Sequence, residues 1–295
     1  MERSPAMGKF DFESLDGTRV RGWRNDGTGV PVVISNGLGT SPEAWPALCR
    51  GDSGFRVCTW YYRGTGGGGR PQDPGRVRID DHVGDLLALM DHEGIERAIV
   101  PCWSMGVSVG FEFARQHPDR VAGLMAVAGV PGGMFQAMFG LMRVPRAIRH
   151  DSGVAAARAM RAVGPALNAL ARTIPLNTAT ASVINHSGFL LPAARPERLI
   201  PALREFRTHD FRWYFTLALG AQDHAPIDLT TLEMPVTMVA GRYDVLTFVG
   251  DMVEAAAQIP HAEIKILPGS HFLPLEYPDE IARWVGELAD RSDLR

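Results

Sequence analysis

The chain has 295 residues, 45% of them hydrophobic, enough to bury a full core in one large domain carrying an insertion. Its 30 basic and 33 acidic side chains leave a net charge of −3, which speaks against a nucleic-acid binder driven by basic excess. The three cysteines, Cys49, Cys58 and Cys102, show neither metal-type spacing nor the even count of a disulfide framework, so reduced thiols are expected.

The opening residues, Met1 to Gly17, lack the apolar core of a secretory signal, and no run of ~18 apolar residues predicts a membrane span. A cytoplasmic protein is expected. Phe10 to Ser14 and Thr18 to Trp23, joined by Asp16-Gly17, predict a hairpin. Val30 to Ser35 reads as a buried strand ending at Asn36-Gly37-Leu38-Gly39, and Arg56 to Tyr61 as the next strand. A helix is expected from Asp80 or Asp81, with Val83, Leu86, Leu87 and Met90 on one face and Gly94 past its end. Ala98 to Trp103 and Val121 to Val127 are further strands, separated by a helix that stops before Pro118. After a long interval come strands Val236 to Ala240 and Ala262 to Leu267, with helices near Leu246 to Gln258 and Asp279 to Ala289. Strands alternating with helices predict an α/β fold with a mostly parallel sheet covered on both faces.

Residues 132 to 228 break that rhythm. Met134 to Met142, Val154 to Val163 and Pro196 to Thr208 read as helices, and no buried strand is evident. The sheet pattern resumes at Pro235, so the segment is expected to be a helical insertion. The core would then comprise residues 1–131 and 229–295, with the insertion at 132–228.

Chemistry concentrates where strands end. Val100-Pro101-Cys102-Trp103-Ser104-Met105-Gly106 is an apolar strand that stops at a serine and continues as helix, the arrangement of a nucleophile elbow. Strand and helix cross closely there, which demands small residues two positions before and after the serine. Gly106 meets that demand, and Cys102 stands where the pattern has its first glycine. Asp244 follows the strand Val236 to Ala240, at the carboxyl edge where open α/β sheets bind ligands, and His271 follows Ala262 to Leu267. The loop after Val127 reads Ala128-Gly129-Val130-Pro131 and offers no rival acid. Serine, acid and histidine thus arrive in order at one edge, the constellation in which histidine takes the serine proton and the acid orients the imidazole. The turn after Val30 to Ser35 adds a fourth part, with backbone N–H groups of Leu38 and Met105 as the expected oxyanion donors.

Plainer readings compete with each of these. Ser104 would serve as a helix N-cap, Asp244 as a helix N-terminal acid and His271 as a loop residue. Their joint order favours the catalytic reading. Gly64 to Gly69 matches G-x-G-x-x-G, but Arg70-Pro71-Gln72-Asp73-Pro74-Gly75 forbids the helix that dinucleotide binding needs, so a flexible loop is expected. Arg63 is expected to anchor that loop. His82, His92, His117, His209 and His224 lack paired metal-ligand spacing. Cys102 reads as a buried small side chain rather than a reactive thiol. Met134, Phe135, Met138, Phe139, Leu141 and Met142 form an apolar helical stripe, read either as packing or as an acyl pocket to which Trp213, Tyr214 and Phe215 would contribute. Trp103 and Phe272 are further pocket candidates.

The pieces NGLGT (36–40), YYRGTGG (61–67), CWSMG (102–106), GRYD (241–244) and GSHFLPLEYPDEI (269–281) resemble the α/β-hydrolase fold superfamily over nearly all of the core. That resemblance implies an eight-stranded sheet flanked by helices with an inserted helical cap at residues 132–228. It further implies hydrolysis of a carboxylic ester, thioester or lactone through an acyl-enzyme, with an apolar small-molecule substrate and no metal or organic cofactor. The chain departs from the family in having Asn36 where His is usual, Tyr61 where aspartate is usual, and Cys102 for glycine. A serine nucleophile also sets it apart from the dehalogenase and epoxide-hydrolase branches, which use an aspartate there. An acyltransferase, carbon–carbon bond hydrolase or cofactor-free perhydrolase on the same scaffold is the alternative, and a non-catalytic receptor a third. Oligomeric state is not legible.

Overall fold

The computed structural model describes residues 7–187, 189–192 and 194–294. Its sheet has eight strands: β1 (Gly8–Glu13), β2 (Arg19–Arg24), β3 (Val30–Ile34), β4 (Phe55–Trp60), β5 (Ala98–Trp103), β6 (Val121–Val127), β7 (Val236–Gly241) and β8 (Glu263–Leu267). Their spatial order is β1-β2-β4-β3-β5-β6-β7-β8. The first two form the expected hairpin, β2 runs antiparallel to β4, and every later pairing is parallel. The connecting helices of the core are α1 (Ile79–His92) and α2 (Met105–Gln116). Between β6 and β7 lie α3 (Met134–Ala137), α4 (Arg146–Ala162), α5 (Gly164–Thr173), α6 (Thr178–Asn185), α7 (Pro196–Phe206) and α8 (Phe211–Gly220). The chain closes with α9 (Val249–Ala256), α10 (Leu273–Glu276) and α11 (Pro278–Arg291).

Alternating side chains divide the core in two. On one sheet face Cys58 and Trp60 of β4 and Val100 and Cys102 of β5 pack with Leu86 of α1, Phe111 of α2 and Met252 of α9. On the other, Val57, Ile99 and Trp103 pack with Trp45, Ile281, Trp284 and Leu288. Both faces are covered, which is why the central strands read as unbroken apolar runs rather than alternating ones. Parallel strands that share a direction also end on one edge. The segments after β3, β5, β7 and β8 therefore bring Leu38, Ser104, Asp244 and His271 to the same side of the sheet.

One expected helix is much shorter than its apolar stripe suggests. The spacing from Met134 to Met142 predicts a helix, yet α3 ends at Ala137 and Met138 is extended, with φ −71° and ψ 150°. The Ala137 carbonyl, which would accept from Leu141 in a continued helix, instead accepts the Phe248 N–H at 3.1 Å. Tertiary pairing ends the helix here. The Gly64 to Gly69 segment forms turns closed by Gly64 N–H to Gly69 C=O (2.8 Å) and Gly69 N–H to Arg19 C=O (2.7 Å), and the next helix begins only at Ile79. Among the described residues no helix is long and apolar enough to cross a membrane.

Candidate active site

Ser104 links β5 directly to α2 and has φ 55° and ψ −122°, a positive φ that a non-glycine residue rarely adopts. The crossing that creates this turn is tight. A Cβ on Gly106 would lie 2.1 Å from the Ser35 carbonyl oxygen and 2.5 Å from that of Asn36, so no larger residue fits. His271 Nε2 lies 2.9 Å from Ser104 Oγ, and its Nδ1 lies 2.9 Å from Asp244 Oδ2. Asp244 is buried, and its second oxygen accepts the backbone N–H groups of Leu246 and Thr247, each at 2.8 Å. These bonds orient the carboxylate so that Nδ1–H faces it, leaving Nε2 free to accept the serine proton. The indole N–H of Trp103 holds the His271 carbonyl at 2.9 Å. His271 is thus held through both its ring and its backbone.

Leu38 and Met105 border the same cavity as Ser104 and His271. Among the described residues neither backbone N–H donates to a protein acceptor, and Met105 is the first residue of α2, where the helix dipole favours negative charge. The preceding Asn36 points elsewhere. Its side-chain amide donates to Thr59 Oγ1 (2.8 Å), and its side-chain oxygen accepts the Trp45 indole N–H (2.7 Å). Asn36 therefore braces the turn from inside the core.

The cavity over the serine has a volume of about 430 Å³. Met134 and Met138 line it, as do Tyr214 and Phe215, but not Phe139, which the broken helix turns aside with φ 62°. Trp103 and Phe272 line a neighbouring pocket instead, and Trp213 donates its indole N–H to the Arg63 carbonyl at 2.7 Å. Phe135, Met160, Phe189, Phe206 and Phe211 complete much of the wall and come from α3, α4, the α6–α7 connection, α7 and α8. Their sequence signal is only that of ordinary apolar helix positions. Besides His271, the only acid or base group among the described lining residues is the Tyr214 phenol, which burial pushes up to about 12. Burial likewise pushes the Cys102 thiol far above its ordinary range, so it remains an unreactive SH. No group of three His, Cys, Asp or Glu side chains among the described residues is placed to hold a metal ion.

A family model described as the alpha/beta hydrolase fold matches residues 30–278. The chain belongs to that family. It is 30% identical over 256 residues to a protein named putative carbamate hydrolase RutD from Caulobacter sp. (strain K31), covering 84% of this chain and 86% of that one. It is 28% identical over 321 residues to epoxide hydrolase A from Mycobacterium tuberculosis, covering 95% and 97% respectively. A solved structure of a thermophilic esterase from Thermogutta terrifontis superposes with a TM-score of 0.70 at 21% identity, over 96% of this chain and 98% of that one, which shows a shared fold. The family and both relatives support a hydrolase acting on a small molecule.

Proposed function

We propose that this hydrolase cleaves carboxylic esters, or the related carbonyl of a thioester or lactone, through a Ser104–His271–Asp244 triad. The observation that carries the reading is the strained Ser104 with His271 Nε2 2.9 Å from its oxygen and Asp244 on the other ring nitrogen. His271 takes the Ser104 proton as Oγ attacks the carbonyl carbon, and the Leu38 and Met105 N–H groups receive the oxyanion. Collapse breaks the bond to the leaving alkoxide, which takes the proton from His271. Water, deprotonated by the same imidazole, then releases the acid and restores the serine.

Helices α3–α8 act as a cap in this reading, because α3, α4, α7 and α8 wall the cavity over Ser104. A carbamate, named for one relative, presents a carbonyl to which the same steps apply. Epoxide opening fits less well, since a serine stands where that branch of the fold uses an aspartate. The apolar lining favours uncharged substrates, because a charged arm would lose its hydration without a partner.

The deciding experiment is Ser104→Ala. It should abolish labelling by a fluorophosphonate and lower kcat on a short-chain ester by about 10³-fold or more. A variant keeping more than a tenth of wild-type kcat would overturn the assignment.

A further inference from the structure

A second, smaller cavity of about 140 Å³ adjoins the first. The two share Phe189 and Phe206, which stand between them. Three pairs of consecutive residues straddle the partition. Leu38, Ser104 and His271 border the larger cavity, whereas Gly39, Trp103 and Phe272 border the smaller. The small cavity therefore lies beside the larger one, against the neighbours in sequence of Leu38, Ser104 and His271. Its far wall comes from α7 and α10, through Leu199, Ala202, Leu203 and Leu275. None of its lining side chains is charged, the Thr40 hydroxyl is engaged with the Gly37 carbonyl at 2.7 Å, and the buried Ser41 hydroxyl is a polar atom of the wall left without a partner among the described residues.

An apolar cavity of about 150 Å³ accepts a benzene molecule and stays dry when empty. From this match in size and polarity we infer that the small cavity is a subsite for one arm of the substrate, an uncharged apolar group no larger than a phenyl ring or a chain of about six carbons. The substrate class is then an ester with apolar arms on both sides of the scissile bond, the larger arm lying against α3, α4 and α8. This inference rests on the serine-hydrolase reading for its chemistry, but the cavity itself can be tested without turnover.

Two ester series separate the arms: methyl esters from acetate to phenylacetate, and acetates from methyl to benzyl. Ala202→Phe places a ring in the small cavity. It should lower kcat/KM at least tenfold for the phenyl-bearing member of one series, while methyl acetate changes by less than twofold. Leu203→Ala should act oppositely, moving the optimum of that series to longer arms and guarding against a misfolded first variant. Bromobenzene soaked into crystals of the wild type and of Ser104→Ala should place its bromine, located by anomalous scattering, between Trp103 and Leu199. Uniform losses across both series, or bromine found only in the larger cavity, would overturn the subsite. If Ser104→Ala stayed active while bromine occupied the small cavity, the proposed chemistry would fall and the subsite would stand.

Discussion

Cys102 occupies the place where a nucleophile elbow usually has glycine, and the space for its sulfur comes from α2. Gly110 faces it, and a Cβ there would lie 2.1 Å from Cys102 Sγ. The glycine that the strand lacks is supplied eight residues on, within the helix that crosses it. This exchange makes a specific forecast. Gly110→Ala alone should destabilise by about 1–3 kcal/mol through overpacking. Combined with Cys102→Gly, it should cost less than the sum of the two single changes, because the new methyl then enters the vacated volume. Urea midpoints of the four proteins close the cycle. Strict additivity would mean that the two side chains do not compete for one space.

The approach to α8 and its first turn tie the inserted helices to the loops that follow β3 and β4. His209 donates Nε2–H to the Gly39 carbonyl at 2.8 Å, and Trp213 donates to the Arg63 carbonyl. Burial lowers the His209 pKa, outweighing the Gly39 hydrogen bond and the Glu205 charge, so the neutral Nε2–H form is the one that donates. Gly39 follows Leu38, one of the two proposed oxyanion donors. Loss of the His209 bond should therefore be felt in the chemical step more than in binding. His209→Ala is expected to lower kcat about tenfold with less than a threefold change in KM, and His209→Gln to recover part of the loss. An unchanged kcat, with only a lower melting temperature, would make His209 a packing residue.

These long-range ties mark where sequence reading stops. Ser104, Asp244 and His271 were legible because each follows an apolar strand whose direction fixes where its loop emerges. The strands themselves were legible to within a residue or two, because unbroken apolar runs bounded by turns leave few alternatives. The early end of α3 was not, since it depends on the Phe248 N–H from the segment before α9. Nor was the division of the cavity by Phe189 and Phe206, whose ring positions follow from how the inserted helices pack. Asn36 was visible as a departure from the family pattern, but its inward bonds to Thr59 and Trp45 emerge only in three dimensions.

Arg63 connects regions that the sheet alone would leave independent. Its guanidinium is buried, bonding Asp85 of α1 (2.8 Å), Asp16 of the β1–β2 turn (2.6 Å), Ser14 Oγ (3.1 Å), and the carbonyls of Arg76 (3.0 Å) and Asp81 (3.1 Å). One side chain thus holds the opening hairpin, the segment after β4 and the first core helix together. Burial alone would raise the pKa of Asp85, but hydrogen bonds from His82 and Arg63, with their charges, hold it below the ordinary carboxylate value. At Asp16 burial is likewise outweighed, by bonds from Thr18 and Arg63. Both acids bind protons more tightly in the unfolded chain than in the folded one. Their contribution to stability is therefore complete above a pH of about 4 and lost as pH falls through the lowered folded values. Asp85→Asn removes the Asp85 part of this linkage and leaves Arg63 short of a buried counter-charge, at a cost of about 3 kcal/mol near neutrality. Wild-type urea midpoints should fall steeply between pH 5 and pH 2.5, and those of Asp85→Asn should fall less over the same range. Parallel declines would show that acid sensitivity arises in other carboxylates, and that the buried Arg63 network does not set the lower pH limit of the fold.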